Sequence, residues 1–174
     1  MKSNLKKILI LITLIFITKN LHADVPYYVD FKYILNQSTA GKKAQDFLKK
    51  KLEQGSKKLT EKEKNLLNEE KQLIQQKKLL KPDEYKDKID LLRSKVLKLQ
   101  KEKEELIRSV SKQRLIAKNE LLKNLNPIIS EYMQENKIRM VVDKKSILLA
   151  DQNLDITKKI IDLLNKKLKS INLK

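Results

Sequence analysis

Residues able to do covalent or metal chemistry are nearly absent from this sequence. The 174-residue chain has one histidine, His22, and no cysteine. His22 falls within a leader-like stretch, so residues 24–174 hold neither type. That excludes a Ser-His-Asp triad, a Cys-His pair, a histidine zinc site and any thiolate site. Ala40-Gly41-Lys42-Lys43 lacks the upstream glycine and the Ser/Thr of a phosphate loop. The pairs Glu69-Glu70 and Glu104-Glu105 are adjacent, so on a helix their carboxylates diverge, and ion pairing with nearby lysines is their expected role. No enzymatic activity and no cofactor are expected. What remains is charge: 40 Lys+Arg against 22 Asp+Glu, a formal +18. The densest stretches are Lys49-Lys50-Lys51, Lys57-Lys58, and Lys77-Lys78 with Lys81. Their chemistry is long-range attraction of an anionic partner, screened beyond about 8–10 Å at physiological ionic strength. The plainer reading of any one lysine is a solvated helix face.

The leader narrows the partner. Lys2, Lys6 and Lys7 precede an apolar run at 8–17, and Leu21-His22-Ala23 precedes Asp24. A charged start, about ten apolar residues and a small residue at the cut make a signal peptide. The run is shorter than the roughly 20 residues that span a membrane. Cleavage after Ala23 leaves 151 residues and, with Lys2, Lys6, Lys7 and Lys19 gone, a formal charge of +14. An exported chain without cysteine gains nothing from disulfides, so packing or assembly must stabilise it. Export also demotes nucleic acid as a partner and favours acidic polypeptides, lipid head groups or polyanionic glycolipid.

Two glycines are too few for a many-stranded barrel or sandwich. Val25, Tyr27, Val29 and Phe31 alternate with Pro26, Tyr28 and Asp30, which predicts a half-buried strand over 25–31. A helical turn at 32–35 follows, and Ser38 or Thr39 is placed to cap the next helix. From 41 to 125 the pattern is helical. Leu52, Leu59, Leu66, Leu73 and Leu80 recur every seven residues, the repeat of a coiled-coil seam. Its companion positions are weaker: Leu48 is apolar, but Gly55, Lys62 and Glu69 are not, while Leu67 and Ile74 broaden the seam. Downstream, Tyr85, Ile89, Leu92, Val96, Leu99, Lys103, Leu106 and Val110 step by four and three, broken only by Lys103. Between the two runs Pro82 bars Lys81 from helical geometry and starts a new helix with Asp83 and Glu84. The result is a helical hairpin with its tip near Pro82 and arms of roughly 60 Å. Folding the same helices into a compact bundle would require a wider apolar face on each. Gly55 lies mid-arm at a cost of about 1 kcal/mol relative to alanine, either as a tolerated imperfection or as a hinge.

Beyond the arms, Pro127 predicts a kink or break, with Ile128, Ile129, Tyr132 and Met133 on a continuing helical face. Ile138, Met140 and Val142 then alternate with Arg139, Val141 and Asp143, residues 143–146 form a turn, and 147–150 read as a buried strand. Asp155 caps a final helix whose Ile156, Ile160, Leu163, Leu164 and Leu168 share a face.

Tyr28-Val29-Asp30 with Asn36-Gln37-Ser38-Thr39-Ala40-Gly41-Lys42, Ile138-Arg139-Met140-Val141-Val142-Asp143, and the short strand before Asp155-Ile156-Thr157 carry a family resemblance. In this order, behind a signal peptide and around a lysine-rich hairpin, they resemble the Skp/OmpH family of periplasmic chaperones. The resemblance covers the whole of 24–174, with its specificity in the two terminal segments. It implies an α+β, mostly helical fold: a long antiparallel helical hairpin projects like a tentacle from a small strand–helix body that assembles as a homotrimer. The expected division is 1–23 signal peptide, 24–40 strand and short helix of the body, 41–126 hairpin, and 127–174 body helix, two strands and C-terminal helix. Tyr27, Val29, Phe31, Ile138, Met140, Val142, Ile147 and Leu149 are expected in the trimer body. Leu92, Val96, Leu99, Leu106 and Val110 are expected to face the first arm's leucines.

The implied activity is that of an ATP-independent holdase in the periplasm of a Gram-negative bacterium. It would capture unfolded outer-membrane proteins between cationic arms, with the lysines named above as candidate client contacts. Anionic lipid or glycolipid stands as a further partner, although no basic motif of this chain carries over a glycolipid site. The alternatives are an envelope coiled-coil adaptor and a cationic polyanion binder.

Overall fold

Side-chain caps set the first boundaries. The computed structural model describes residues 25–173, so the predicted signal peptide and its cleavage site lie outside them. Strand β1 (Tyr27–Val29) stops at Asp30, whose carboxylate accepts from the Tyr33 N–H at 2.7 Å and opens helix α1 (Phe31–Gln37). The strand predicted over 25–31 is thus cut short by a cap, and Phe31 begins a helix. Tyr28, expected to face outward, is buried together with Val29. Consecutive strand residues point to opposite faces, so β1 is covered on both. Ser38 is the second cap: its hydroxyl accepts from the Gly41 N–H at 3.2 Å and starts helix α2 (Thr39–Gln76). Gly41 is a requirement of close approach, because a Cβ there would lie 1.9 Å from the Leu35 carbonyl oxygen.

The chain reverses at residues 77–81, and helix α3 (Pro82–Glu135) returns. Lys81 is extended (φ −64°, ψ 150°), as its position before proline demands, and Asp83 and Glu84 occupy the first turn of α3. The two helices are the hairpin's arms. Of the kink or break predicted at Pro127, the break does not occur: α3 runs through that residue for 54 residues in all. A proline inside a helix costs about 3 kcal/mol or more. Here Leu125, Ile128 and Ile129 are buried on either side of it, while Pro127 itself is on the exposed face. The Lys123 carbonyl that loses its partner is therefore open to water.

Helix α3 ends in a Schellman motif. The Ile138 N–H donates to the Met133 carbonyl at 2.8 Å and the Lys137 N–H to that of Gln134 at 3.3 Å. Lys137 takes the left-handed conformation this closure needs (φ 55°), a place usually given to glycine. Strand β2 (Val141–Asp143) then pairs in parallel with β1, in the register Tyr27 to Val141 and Val29 to Asp143. The alternation predicted for 138–142 is displaced by this turn. Ile138 is buried within the turn, Met140 is 56% exposed, and Val141 is the strand residue packed on the core.

The buried strand predicted at 147–150 is absent. Among the described residues these pair with no strand, and Leu148 and Leu149 are 95% and 91% exposed. The sheet among the described residues has only β1 and β2, and this segment does not take up the open edge of β2. Asp155 accepts from the Thr157 N–H at 2.8 Å at the start of helix α4 (Thr157–Lys167). Ile156, Ile160 and Leu164 enter the core, with Leu163 and Leu168 packed against it. That core, with Val29, Ile34, Leu121, Leu125, Ile128 and Ile129, joins β1, α1, α4 and the body ends of α2 and α3. The molecule is α+β and mostly helical: a hairpin on a small strand–helix body.

Candidate functional site

The apparent flaws of the seam all have partners. Gly55 faces Leu106 so closely that a Cβ would sit 2.6 Å from both of the leucine's terminal carbons. Lys62 pairs with Glu102 at 2.5 Å, Glu69 with Lys95 at 2.6 Å, and Lys103 with Glu63 at 3.1 Å, each pair bridging the two arms. Exposed pairs of this kind contribute about 0–1 kcal/mol, so they fix register more than they stabilise. The apolar part of the seam is thin. Leu73, Leu99 and Val110 are buried; Leu59, Leu66, Leu80, Leu92 and Leu106 are half-buried; Leu52 and Val96 are exposed.

The candidate lysines are not gathered on one face. Successive helical residues turn by about 100°, so Lys49, Lys50 and Lys51 point three ways. Lys51 turns inward, donating to Ser109 Oγ at 2.7 Å and Gln113 Oε1 at 2.8 Å, and Lys49 lies 3.9 Å from Glu53. Lys50, Lys57 and Lys58 on the arm, and Lys77, Lys78 and Lys81 at the tip, are exposed and form no ion pair among the described residues. They make a diffuse positive field rather than a built site.

The organised surface of the arms is apolar. Toward the tip, a cleft of about 790 Å³ opens along one flank, walled by Leu66, Leu67, Leu73 and Ile74 of α2 and by Ile89, Leu92, Val96 and Leu97 of α3. Glu63, Glu70, Arg93 and Gln100 form its rim. Leu67, Ile74 and Leu97 remain 53%, 60% and 59% exposed. The opposite flank is mostly polar, carrying Lys62, Asn65, Glu69, Lys95, Lys98 and Glu102, with Leu91 open among them. Leu67 and Ile74, which broaden the seam in sequence, thus serve an open groove instead of closing the helix pair. A contiguous exposed apolar strip rimmed by charge marks an interaction surface. Among the described residues no three His, Cys, Asp or Glu side chains group to hold a metal, and no helix is long and apolar enough to cross a membrane.

Residues 27–164 match the family described as outer membrane protein (OmpH-like). The chain belongs to the OmpH-like family. The terminal segments carrying the Skp/OmpH resemblance fall within the matched region or at its edges. An OmpH-like protein of Caulobacter crescentus CB15, described provisionally as an outer membrane chaperone, has a solved structure similar to this one. It superposes with a TM-score of 0.78 at 23% identity, over 85% of this chain and 89% of that one. At that identity the likeness is one of fold. Among curated proteins none matches. In this OmpH-like chain, Tyr27, Val29, Phe31, Ile138 and Val142 are half-buried or buried in the protomer, Ile147 is half-buried, and Met140 and Leu149 are open. Val96, expected to face the first arm's leucines, lines the groove instead, and Leu97 escapes a reading of one helix at a time. Only pairing the arms shows that Leu97 lies on the same flank as Leu67 and Ile74.

Proposed function

We propose that this OmpH-like chain is an ATP-independent periplasmic holdase that captures unfolded outer-membrane proteins between the arms of a homotrimer. The observation that carries the reading is the apolar groove, left open to solvent on a projecting, charge-rimmed arm. Unfolded barrel strands alternate apolar and polar residues, so an extended client strand can lay one apolar edge along such a groove. Covering a half-exposed leucine or isoleucine is worth on the order of 1 kcal/mol. Several such contacts retain a client yet break one by one, which suits release without ATP. The formal +14 of residues 24–174, with Lys50, Lys57, Lys58, Lys77, Lys78 and Lys81 open to solvent, favours capture of acidic client segments. Anionic lipid or glycolipid is a second partner this charge supports. Exposed Met140, Leu148 and Leu149, beside a β2 edge with no strand neighbour among the described residues, support covering by further copies. The leader at 1–23 supports the periplasm.

The test is suppression of aggregation of a urea-unfolded barrel protein. The triple variant Leu67→Ser, Ile74→Ser, Leu97→Ser should lose most of the suppression while melting within a few degrees of the parent. Undiminished suppression would remove the groove from the account. Capture should also slow between about 0.01 M and 1 M salt, as the screening length falls from about 30 to 3 Å. Salt-independent capture would remove the steering role of the lysines.

A further inference from the structure

Helix α4 stops at Lys167, and Leu168 turns extended (φ −127°, ψ 112°). The segment 169–173 then lies along the foot of the hairpin. Ile171 packs on both the body core and the arm, while Leu173, 5% exposed, is buried against Ala44, Leu48, Val110 and Ala117. Alanines on both arms make the trough that receives it. One polar contact is equally specific. Gln113 Nε2 donates to the Leu173 backbone carbonyl at 2.5 Å, and Gln113 Oε1 accepts from Lys51 Nζ at 2.8 Å. Because the lysine occupies the amide oxygen, the amide NH₂ is aimed at the peptide chain. Gln113 thus reads backbone, not side chain, and the trough reads apolar side chains two residues apart. Neither requirement is peculiar to residues 169–173.

We infer that the hairpin foot is a peptide seat for extended polypeptide with apolar side chains two residues apart, held in this structure by the chain's own segment 169–173. The segment acts as a resident competitor: it keeps the trough covered and ties arm to body until a strand of the same pattern displaces it. Recognition of such a pattern stands on the seat itself; that the displacing strand belongs to a client rests on the holdase reading above.

The experiment uses a fluorescein-labelled peptide of residues 167–174, followed by fluorescence anisotropy. It is added to chain 24–174, to the same chain lacking 169–174, and to full-length Leu173→Asp, which frees the segment without shortening the protein. The peptide should bind both altered chains. It should bind the intact chain about tenfold more weakly, the penalty for a seat open about a tenth of the time. The same peptide carrying Leu173→Asp should not bind. A synthetic peptide alternating leucine and threonine should displace it, whereas one alternating serine and threonine should not. Circular dichroism shows which altered chain has kept its helices. If neither has, the intact chain decides through weak but saturable, leucine-dependent binding. Absence of binding to every folded form, or binding that the leucine–threonine peptide fails to displace, would overturn the inference. Loss of client protection by the intact chain alone would sink the holdase reading and leave the seat standing.

Discussion

The body and the arms of this molecule are built from the same aliphatic residues and use them in opposite ways. In the body, Val29, Ile34, Leu125, Ile160 and Leu164 have no exposed surface. Along the distal arms the deepest leucines, Leu73 and Leu99, keep 7%, and their neighbours Leu67, Ile74 and Leu97 keep more than half. The body concentrates burial to make one cooperative core. The arms spread theirs thinly, hold register with exposed ion pairs, and leave an apolar flank uncovered. Segments with few buried contacts open at low free energy, which fits a surface meant to accept a changing partner.

The sharpest way to break this contrast is to truncate a leucine in each region. Leu164→Ala in the body should cost about 2–5 kcal/mol, read as a large fall in the urea midpoint. Leu97→Ala on the arm should move the midpoint by no more than about 0.5 kcal/mol. Equal losses would show that the arms share the body's core.

A smaller effect of opposite sign is expected where the body meets its first turn. Lys137 holds a left-handed conformation that costs a residue with a side chain roughly 1 kcal/mol, so Lys137→Gly should raise the urea midpoint by up to about that amount. No rise would mean that the lysine stem makes contacts worth as much as the strain.

Gly55→Ala probes the arm's own packing. A hinge at Gly55 predicts that alanine stiffens the arm, with slower hydrogen exchange around it. Close packing predicts the reverse, because the new Cβ displaces Leu106. The atoms met are the ends of a flexible, half-buried side chain, so turning Leu106 aside offsets a propensity gain of about 1 kcal/mol and leaves a net change within about 0.5 kcal/mol. We expect that small change, with hydrogen exchange at mid-arm no slower than in the parent. Slower exchange would favour the hinge.

Much of this contrast is visible in the sequence. The sevenfold leucine spacing, Pro82, the Ser38 cap and Asp155, which accepts from the Thr157 N–H just ahead of the Ile156 N-cap, act locally, so a linear reading places the hairpin and the last helix. Lys62, Glu69 and Lys103 look like faults in that reading because their partners are on the other arm, and a single helix's periodicity carries no register. Pro127 carries the local signal of a kink or break, but burial of Leu125, Ile128 and Ile129 around it keeps α3 continuous. Residues 147–150 have the composition of a buried strand, yet among the described residues nothing pairs with them and Leu148 and Leu149 stay open, which composition alone does not reveal. The groove was half legible: Leu67 and Ile74 stand out beside the seam, but only pairing with α3 shows that they stay uncovered.

The most direct test of the central claim is the light-scattering mass of residues 24–174, alone and after addition of a urea-unfolded outer-membrane barrel protein. A mass of three protomers that becomes a soluble complex of three protomers plus client is the predicted result. A monomer, or a trimer beside which the client still precipitates, would contradict it.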